Sequence, residues 1–248
     1  TIMRITRLPT QPLPKSAVTI GSFDGVHLGH QQIIHRLTAY AKAHQLQSVV
    51  ITFEPQPREF LTPEQSPARL SSLTDKALRL QSLGVDHLVV LPFNSALRSL
   101  SADAFVRKIL IDQLNPQVLQ VGDDFRFGAD RKGNVDYLQR YDFEVTDLPS
   151  LCVEGDRVSS TLIRDCVAEG DFTRAAQLLG EPFQLSGRVI YGRQLGRTIG
   201  VPTANILLPH SKLPTEGVFA VDAQIDGRQL FGVANLGPKP TVGDNRHW

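Results

Sequence analysis

The stretch Thr19-Ile20-Gly21-Ser22-Phe23-Asp24-Gly25-Val26-His27-Leu28-Gly29-His30 sets the fold of the first part of the chain. An apolar run at residues 17–20 predicts a short buried strand, and apolar residues recur at helical spacing from residue 28 onward. Glycines interrupt the loop between them. The stretch therefore predicts a strand–loop–helix unit that carries two imidazoles, His27 and His30, where the helix begins.

This position favours phosphate chemistry for the two histidines. A helix N-terminus presents unpaired N–H groups and the positive end of the helix dipole, which makes it a natural phosphate site. Imidazoles placed there can donate hydrogen bonds to phosphoryl oxygens whose charge grows in a transition state. The alternatives are two surface histidines or a metal-binding pair, and the glycines and the strand-to-helix position favour the phosphate site over both.

Composition limits the classes of protein that fit. The chain has 248 residues, enough for one large or two ordinary domains, with 41% hydrophobic and 21% charged residues, as in soluble globular proteins. A net charge of +1 gives no general attraction to nucleic acid or membranes. There is no apolar run long enough for a transmembrane helix and no leading apolar segment of a signal peptide. Two cysteines, Cys152 and Cys166, are too few for a disulfide framework, so we expect a cytoplasmic protein.

Strand and helix patterns alternate along the first part of the chain. After an entry segment at residues 1–16 that is rich in Pro and Thr, further strands are predicted at 49–53, 88–91, 118–121 and 142–148. Helices are predicted at 74–83 and, after an N-cap at Ser101, at 102–110. This alternation is typical of an α/β fold with a doubly wound parallel sheet, in which ligands bind at the carboxyl ends of the strands.

Two further segments suit a phosphorylated ligand. The loop Gly-Asp-Asp-Phe-Arg-Phe-Gly at residues 122–128 follows a predicted strand; it is either an ordinary polar loop or an aromatic and cationic wall for a planar ligand. In Arg-Val-Ser-Ser-Thr-Leu-Ile-Arg at residues 157–164, Ser159 or Ser160 can cap a helix, and Arg164 can bind a polyphosphate. A capped surface helix is the alternative. Helices are predicted to continue to 169 and to span 172–179.

The remaining sequence predicts a second, smaller domain. We place the boundary at Gly-Glu-Pro, residues 180–182, giving domains 1–182 and 183–248. Strands are predicted at 184–191, 217–224 and 229–234, with a hairpin turn at Asp226-Gly227, which together indicate a small antiparallel β-barrel. The loop at 192–205 is rich in glycine and arginine. It is either a flexible barrel loop or a phosphate site in which Thr203 and Asn205 offer hard oxygens to Mg²⁺.

Several of these segments resemble known signatures. Residues 21–30 resemble the HxGH signature of the nucleotidylyltransferase superfamily, in the form found in the bacterial bifunctional riboflavin kinase/FMN adenylyltransferase (FAD synthetase) family. Residues 52–57, 122–128 and 157–164 resemble further segments of that family, although Gln56 stands where a histidine is usual. Pro-Thr-Ala-Asn at 202–205 resembles the riboflavin kinase signature.

The resemblance implies a set of site residues. It implies catalytic roles for His27, His30 and Arg164, with His27 and His30 on the α- and β-phosphates of ATP. The implied ATP site further contains Gly21, Phe23, Asp24, Gly29, Arg157, Ser160 and Thr161. The implied flavin site contains Phe53, Asp124, Phe125 and Phe127. The implied kinase site for ATP and metal contains Gly192, Arg193, Gly200, Thr203 and Asn205, the last two as metal ligands.

The same resemblance implies the reaction and its partners. AMP would pass from ATP to FMN, giving FAD and pyrophosphate, with Mg²⁺ as cofactor and ATP, FMN and riboflavin as substrates. We expect a monomer or weak homo-oligomer with no nucleic-acid or membrane partner. In the family, a glutamate beyond the segment matched by residues 237–241 is the base of the kinase. The sequence stops at Trp248 before any match to it, so we expect an incomplete barrel and little kinase activity from this chain, although the full-length protein would have it.

Three alternatives remain open at this stage. The first is an HxGH nucleotidylyltransferase with another acceptor, such as a phosphopantetheine or a nicotinamide nucleotide; the barrel signature argues against it. The second is a flavin- or nucleotide-binding protein without catalysis. A nucleic-acid module is the third, and the balanced charge gives it little support.

Overall fold

The computed structural model describes residues 2–122, 124–191, 200, 203–208 and 212–237. Its centre is a six-stranded sheet in the order β1-β4-β3-β2-β5-β6, and all neighbouring strands in it are parallel. The strands are β1 (Arg4–Thr6), β2 (Ser16–Ile20), β3 (Gln47–Glu54), β4 (His87–Pro92), β5 (Pro116–Gly122) and β6 (Glu144–Leu148). The predicted doubly wound parallel sheet is confirmed.

Helices cover both faces of this sheet. They are α1 (Leu28–Ala43), α2 (Pro57–Leu61), α3 (Leu73–Ser82), α4 (Ser95–Arg98), α5 (Ala102–Phe105, continued by a wider helical turn over Val106–Leu114), α6 (Val135–Leu138), α7 (Ser160–Glu169) and α8 (Phe172–Leu179). Within the described ranges, none of the helices combines the length and apolar character that crossing a membrane requires.

The alternation of side chains along the strands divides the core into two layers. Along β3, Val49 and Ile51 face the layer that contains the α5 segment, whereas Val50 faces the layer that contains α1 and α3. Strands with apolar residues on both sides are typical of a parallel sheet buried on both faces. A third apolar cluster joins α7 and α8.

The strand order creates a switch point beside β2. The chain passes from β2 to β3 on one side, while β5 lies on the other side of β2. In open α/β sheets, ligands bind outside the carboxyl ends of the strands at such a point. The loop that leaves β2 and the loop that leaves β5 therefore start side by side, although they are about a hundred residues apart in sequence.

The leading segment contains a strand that was not predicted from the sequence. Arg4–Thr6 forms the edge strand β1, in parallel register with β4. Burial of Met3 in the second core layer anchors it. A strand of three mostly polar residues has too little periodicity to be recognised, because its pairing partner lies some eighty residues away.

Antiparallel strands follow α8, as predicted. They form two pairs, β9 (Arg188–Ile190) with β10 (Asn205–Leu207) and β11 (Gly217–Ile225) with β12 (Arg228–Leu236). Earlier in the chain, before α7, β7 (Cys152–Val153) and β8 (Asp156–Arg157) form a small hairpin. The Asp226-Gly227 turn has φ angles of 49° and 76°, the left-handed pair that tight hairpins prefer. The strand predicted at 184–191 is shorter because β10 offers only three residues for pairing.

Candidate active site

The loop between β2 and α1 has a strained backbone. Phe23 and Val26 have φ angles of 47° and 42°, and Gly25 has 77°. Left-handed backbone is uncommon for residues with a Cβ and costly for a β-branched valine. The Phe23 and Val26 side chains are buried in the core layer below α1. Core packing therefore holds the loop in a conformation that the free chain would avoid.

The two histidines lie against each other at the first turn of α1. Their ring centroids are 3.6 Å apart, with 16° between the ring planes. His27 is the N-cap of α1, and its Nδ1 accepts a hydrogen bond of 3.3 Å from the backbone N–H of His30. Because Nδ1 is an acceptor, the neutral ring carries its proton on Nε2. His27 therefore presents an Nε2–H donor.

Both imidazoles are neutral at pH 7. Burial lowers the pKa of His27 to about 4 and lowers the pKa of His30 well below its usual value. The His27 ring and the cations of Lys76 and Arg79 lower the pKa of His30 further. In the described part of the chain, His30 Nδ1 is buried without a hydrogen-bond partner. The pair is suited to donating hydrogen bonds to an anion rather than to carrying a positive charge.

Two glycines of the motif make room for aromatic rings. A Cβ on Gly29 would lie 3.2 Å from the His27 ring, and a Cβ on Gly21 would lie 3.3 Å from the Phe23 ring. These distances are tighter than ordinary side-chain packing. Glycine at these two positions therefore lets the rings pack against the backbone at the predicted ATP site.

Asp24 holds the loop from inside. Its side chain is 2% exposed, and its carboxylate accepts hydrogen bonds from the backbone N–H groups of Leu70 (3.1 Å) and Ser71 (3.2 Å). The same carboxylate forms an ion pair with Arg164 at 2.5 Å. Both carboxylate oxygens thus bind protein groups. Among the residues predicted to bind ATP, Asp24 lies in the framework of the site rather than on its surface.

Helix α7 begins beside the same loop. Ser159, not Ser160, is its N-cap, because the Ser159 side chain accepts the N–H of Leu162 at 3.2 Å. The Ser160 hydroxyl donates to the Asp24 carbonyl at 3.1 Å. Thr161 is exposed. The structure therefore brings the HxGH loop and the hydroxyl-rich helix start together.

Residues 68–72, called here the 68–72 strap, connect the predicted motifs and were not identified from the sequence. The Ala68 carbonyl accepts a hydrogen bond of 2.7 Å from Arg164 Nε, and Leu70 and Ser71 bind Asp24. Ser72 caps α3. The buried Arg69 donates to both oxygens of Glu54 and both oxygens of Glu59 at 2.5–2.9 Å.

The Arg69 bonds connect the strap to the end of β3. Glu54 is the last residue of that strand, and Glu59 lies in α2. Between them, Gln56 is buried at the N-cap of α2, and its backbone N–H donates to the Glu59 carboxylate at 2.9 Å. The strap thus ties the turn at residues 54–57 to the loop that follows β2.

Two cations of α3 also support the loop and were missed. Lys76 is completely buried and donates to the Ser22 carbonyl at 2.6 Å. Arg79 donates to the carbonyls of Gly25 at 3.4 Å and Leu179 at 2.7 Å. The sequence did contain a signal for Lys76: with Leu73, Ala77 and Leu80 it occupies the i, i+3, i+4, i+7 stripe that faces a core.

The aromatic residues predicted to face the flavin lie on the face of the sheet opposite α1 and α3. Phe53 and Phe125 are partly buried and pack against the first core layer. Asp124 and Arg157 are exposed and form an ion pair at 3.2 Å, which joins the loop after β5 to the segment before α7. One placement needs correction. Phe127 is 7% exposed and packs among core aromatic rings, so it is not part of an open wall; Phe125, with a ring centroid 5.5 Å away, is its more accessible neighbour.

Only part of the predicted kinase site can be located. Gly192 and Arg193 lie outside the described residues. Gly200 and Thr203 are exposed, and Asn205 begins β10 opposite Ile190. In the described ranges, no group of three or more His, Cys, Asp or Glu side chains could hold a metal ion.

The groups that meet at the switch point suit a polyphosphate, and they define a nucleotide-binding α/β protein of the HxGH type. Residues 10–162 match the family described as FAD synthetase, and residues 179–248 match the family described as riboflavin kinase. The bifunctional riboflavin kinase/FMN adenylyltransferase of Pseudomonas fluorescens is 49% identical over 233 residues, 92% of this chain and 75% of the relative.

Two further comparisons agree with this class. The Escherichia coli K12 protein of the same name is 41% identical over 246 residues, 97% of this chain and 79% of the relative. A solved structure described as a macrolide-efflux protein from Streptococcus pneumoniae has the same fold, with a TM-score of 0.80 and 31% identity over 97% of this chain and 81% of that chain. The chain belongs to the bifunctional riboflavin kinase/FMN adenylyltransferase family.

Proposed function

We propose that this chain transfers AMP from ATP to FMN, giving FAD and pyrophosphate. The observation that carries the proposal is the pair of stacked, neutral imidazoles at the start of α1, held next to the start of α7 by the Asp24–Arg164 ion pair. The FAD synthetase match and the names of the relatives support FMN as the acceptor.

The reaction balances without a covalent enzyme intermediate. An oxygen of the FMN phosphate attacks the α-phosphorus of ATP and forms a new P–O bond. The bond from the α-phosphorus to the oxygen that bridges to the β-phosphorus breaks, and that oxygen leaves with pyrophosphate. Catalysis by the protein then consists of positioning the two nucleotides and stabilising the charge that develops on phosphoryl oxygens.

The histidines supply hydrogen bonds for that charge. The Nε2–H of His27 donates to a non-bridging phosphate oxygen, and His30 contributes from the adjacent position on the helix. Because burial keeps both rings neutral, neither competes with the phosphates for a proton, and the donors are in place before the reaction begins.

The start of α7 binds the departing pyrophosphate. Its unpaired backbone N–H groups and the exposed Thr161 hydroxyl are available, whereas Ser159 and Ser160 are used to cap the helix and to bind the loop. Arg164 contributes positive charge while it holds Asp24. Arg157, at the exposed mouth of the site, lies next to Asp124 on the side proposed for the flavin.

Mg²⁺ would be held mainly by the phosphate oxygens of ATP, where it would neutralise part of their charge. In the first domain, the protein acts on the phosphates through N–H and hydroxyl donors. On the flavin side, the partly buried rings of Phe53 and Phe125 offer surfaces for the isoalloxazine, and Asp124 directly precedes Phe125 in the sequence.

Phosphorylation of riboflavin to FMN is a second candidate function, favoured by the riboflavin kinase match over residues 179–248. We place it in residues 183–248, with the Thr203 hydroxyl and the Asn205 amide as oxygen ligands for Mg²⁺, and adenylyl transfer in residues 1–182. The two cysteines among the described residues are unpaired, which fits a reducing, cytoplasmic location. The expected assembly is a monomer or a weak homo-oligomer.

The acceptor test uses ATP labelled at the α-phosphorus. The chain is incubated with Mg²⁺, this ATP and one acceptor at a time: FMN, 4′-phosphopantetheine or nicotinamide mononucleotide. We expect labelled FAD in the reaction that contains FMN and no labelled dinucleotide in the reactions with the other two acceptors. Label in another dinucleotide and none in FAD would replace the proposed acceptor. Supplying riboflavin with γ-labelled ATP in a separate reaction reports the kinase activity independently.

A further inference from the structure

Lys76 is a buried ammonium with few partners. Its side chain is 0% exposed on the inner face of α3. Its Nζ donates to the Ser22 carbonyl at 2.6 Å and to Thr52 Oγ1 at 3.4 Å, and Thr52 Oγ1 donates to the same carbonyl at 3.2 Å. Lysine is almost never fully buried in this way unless a specific role compensates for the loss of hydration.

The bonds of Lys76 converge on one peptide group of the HxGH loop. Ser22 immediately precedes Phe23, the residue at which the backbone turns left-handed with φ of 47°. Ser22 O thus receives a hydrogen bond from α3, through Lys76, and another from β3, through Thr52. A strained turn persists only where surrounding contacts hold its backbone in place. At the start of this turn, the hydrogen bonds from Lys76 and Thr52 to the Ser22 carbonyl do so.

The charge of Lys76 is not neutralised by an ion pair. The nearby carboxylates bind arginines instead: Asp24 pairs with Arg164, and Glu54 and Glu59 pair with Arg69. Among the residues that the structure describes, no carboxylate lies within ion-pair distance of Lys76. Its positive charge also lowers the pKa of His30, so the ammonium acts electrostatically on the histidine pair. The cation therefore remains available to attract a polyphosphate bound above the loop.

We propose that Lys76 is a positioning residue for adenylyl transfer, which fixes the Ser22 carbonyl and adds a buried positive charge beneath the triphosphate of ATP. This inference rests on the proposed function. It assigns a role in the transfer site to a side chain outside the sequence motifs, and it requires the ammonium, not merely a long side chain, at this position.

The charge state of Lys76 gives the inference a pH signature. The pKa of Lys76 is lowered to about 8, and burial is the main cause. Among the neighbouring charges, Asp24 raises this pKa, Arg69 lowers it, and Glu54 and Glu59 raise it. Activity that needs the ammonium is therefore lost as the pH rises through about 8. Stability changes in the opposite direction. Because the folded-state pKa is below the ordinary value of 10.5, the unfolded chain binds more protons between these values, and the free energy of unfolding rises with pH there.

The test compares Lys76→Met with Lys108→Met. Met is an unbranched, uncharged side chain only one atom shorter than lysine. Lys108 is an exposed lysine on the helical segment that continues α5. The readouts are kcat and KM for FAD formation from FMN and ATP between pH 6.5 and 9.5, together with urea unfolding. Below pH 8 we expect Lys76→Met to lose about 10- to 100-fold in kcat/KM, with unfolding no easier than for the wild type. Its pH profile lacks the decline near 8, and Lys108→Met behaves like the wild type.

Two results would overturn the inference: equal kcat/KM for Lys76→Met and the wild type, or a loss of activity in Lys76→Met with the decline near pH 8 unchanged. If Lys76→Met does not fold, the variant Thr52→Val tests the inference instead. It removes one partner of the same carbonyl, and we expect lower kcat/KM with a shifted decline, whereas wild-type kinetics would contradict the inference. Failure of the proposed function itself is distinct, because then the wild type forms no FAD at any pH.

Discussion

Arg164 Nη2 lies 2.5 Å from Asp24 Oδ2, and this ion pair joins two motifs that are 140 residues apart in the chain. Asp24 is almost completely buried, and Arg164 is mostly buried. The pair has additional bonds on both sides: Asp24 accepts backbone N–H groups of the 68–72 strap, and Arg164 donates to the Ala68 carbonyl. This buried charge pair therefore helps to fix the relative position of the HxGH loop and α7, together with the Ser160 hydrogen bond to the Asp24 carbonyl.

Removing one partner of this pair should destabilise the protein strongly. Arg164→Met leaves the Asp24 carboxylate buried without its counter-charge, and we expect the free energy of unfolding to fall by about 3–5 kcal/mol. Urea denaturation measures it. Arg107→Met is the control, because the Arg107–Asp103 pair is exposed and should have little effect. Equal stability losses in the two variants would contradict the framework role of the buried pair.

Two hydroxyls at the start of α7, those of Ser159 and Thr161, should have different roles. Ser159→Ala removes the N-cap and should cost about 1 kcal/mol of stability, with little change in kcat. Thr161→Val should leave stability unchanged, because the side chain is exposed, and should lower kcat/KM for ATP. Unfolding and steady-state measurements on both variants check this. The reverse pattern would show that the roles are exchanged.

Gly29→Ala should lower activity although alanine favours helix by about 1 kcal/mol. The added Cβ would lie 3.2 Å from the His27 ring and would displace it by a few tenths of an ångström. We expect a lower kcat with a folded, equally or more stable protein. The control is Gly232→Ala in β12, where nothing lies within 4 Å of the added atom. Wild-type kcat for Gly29→Ala would mean that the position of the ring is not critical.

Acid should destabilise the protein through His27. Its folded-state pKa of about 4 is below the ordinary value of 6.5, so the unfolded chain binds more protons between these values. The free energy of unfolding therefore has its full value above pH 6.5 and decreases as the pH falls toward 4. The decrease is about 3 kcal/mol, because each unit of difference between the two pKa values corresponds to about 1.4 kcal/mol. His30 and His87 act in the same direction. Urea unfolding between pH 5 and 7.5 should show a smaller pH dependence for His27→Gln, and an unchanged dependence would refute this.

Local patterns were sufficient to predict most of the sheet and its helices. The apolar run before Gly21 became β2, the periodic segment after His27 became α1, and Ser101 caps α5. Each of these features depends on neighbours within a few residues, which the sequence displays directly. The meeting of the loops after β2 and β5 followed from the strand alternation, since parallel strands place their carboxyl ends at one edge.

The framework of the site could not be predicted in this way. The Asp24–Arg164 pair and the fourfold binding of Arg69 to Glu54 and Glu59 join distant segments, and charged residues normally indicate solvent rather than burial. Phe127 is the opposite case. As an aromatic residue in a polar loop it was predicted to line a ligand site, but its ring is in the core. Lys76 is different, because its place in the apolar stripe of α3 indicated burial.

The most direct test of the account is the rate of FAD formation from FMN and Mg-ATP, followed by chromatographic separation of the flavins, for the wild type and His30→Ala. We predict that the wild type converts FMN to FAD and releases pyrophosphate. His30→Ala, with one phosphate donor removed, should be slower by about 10²–10³. No FAD from the wild type, or equal rates for the two proteins, would contradict the assignment of the stacked histidines as the centre of an adenylyl-transfer site.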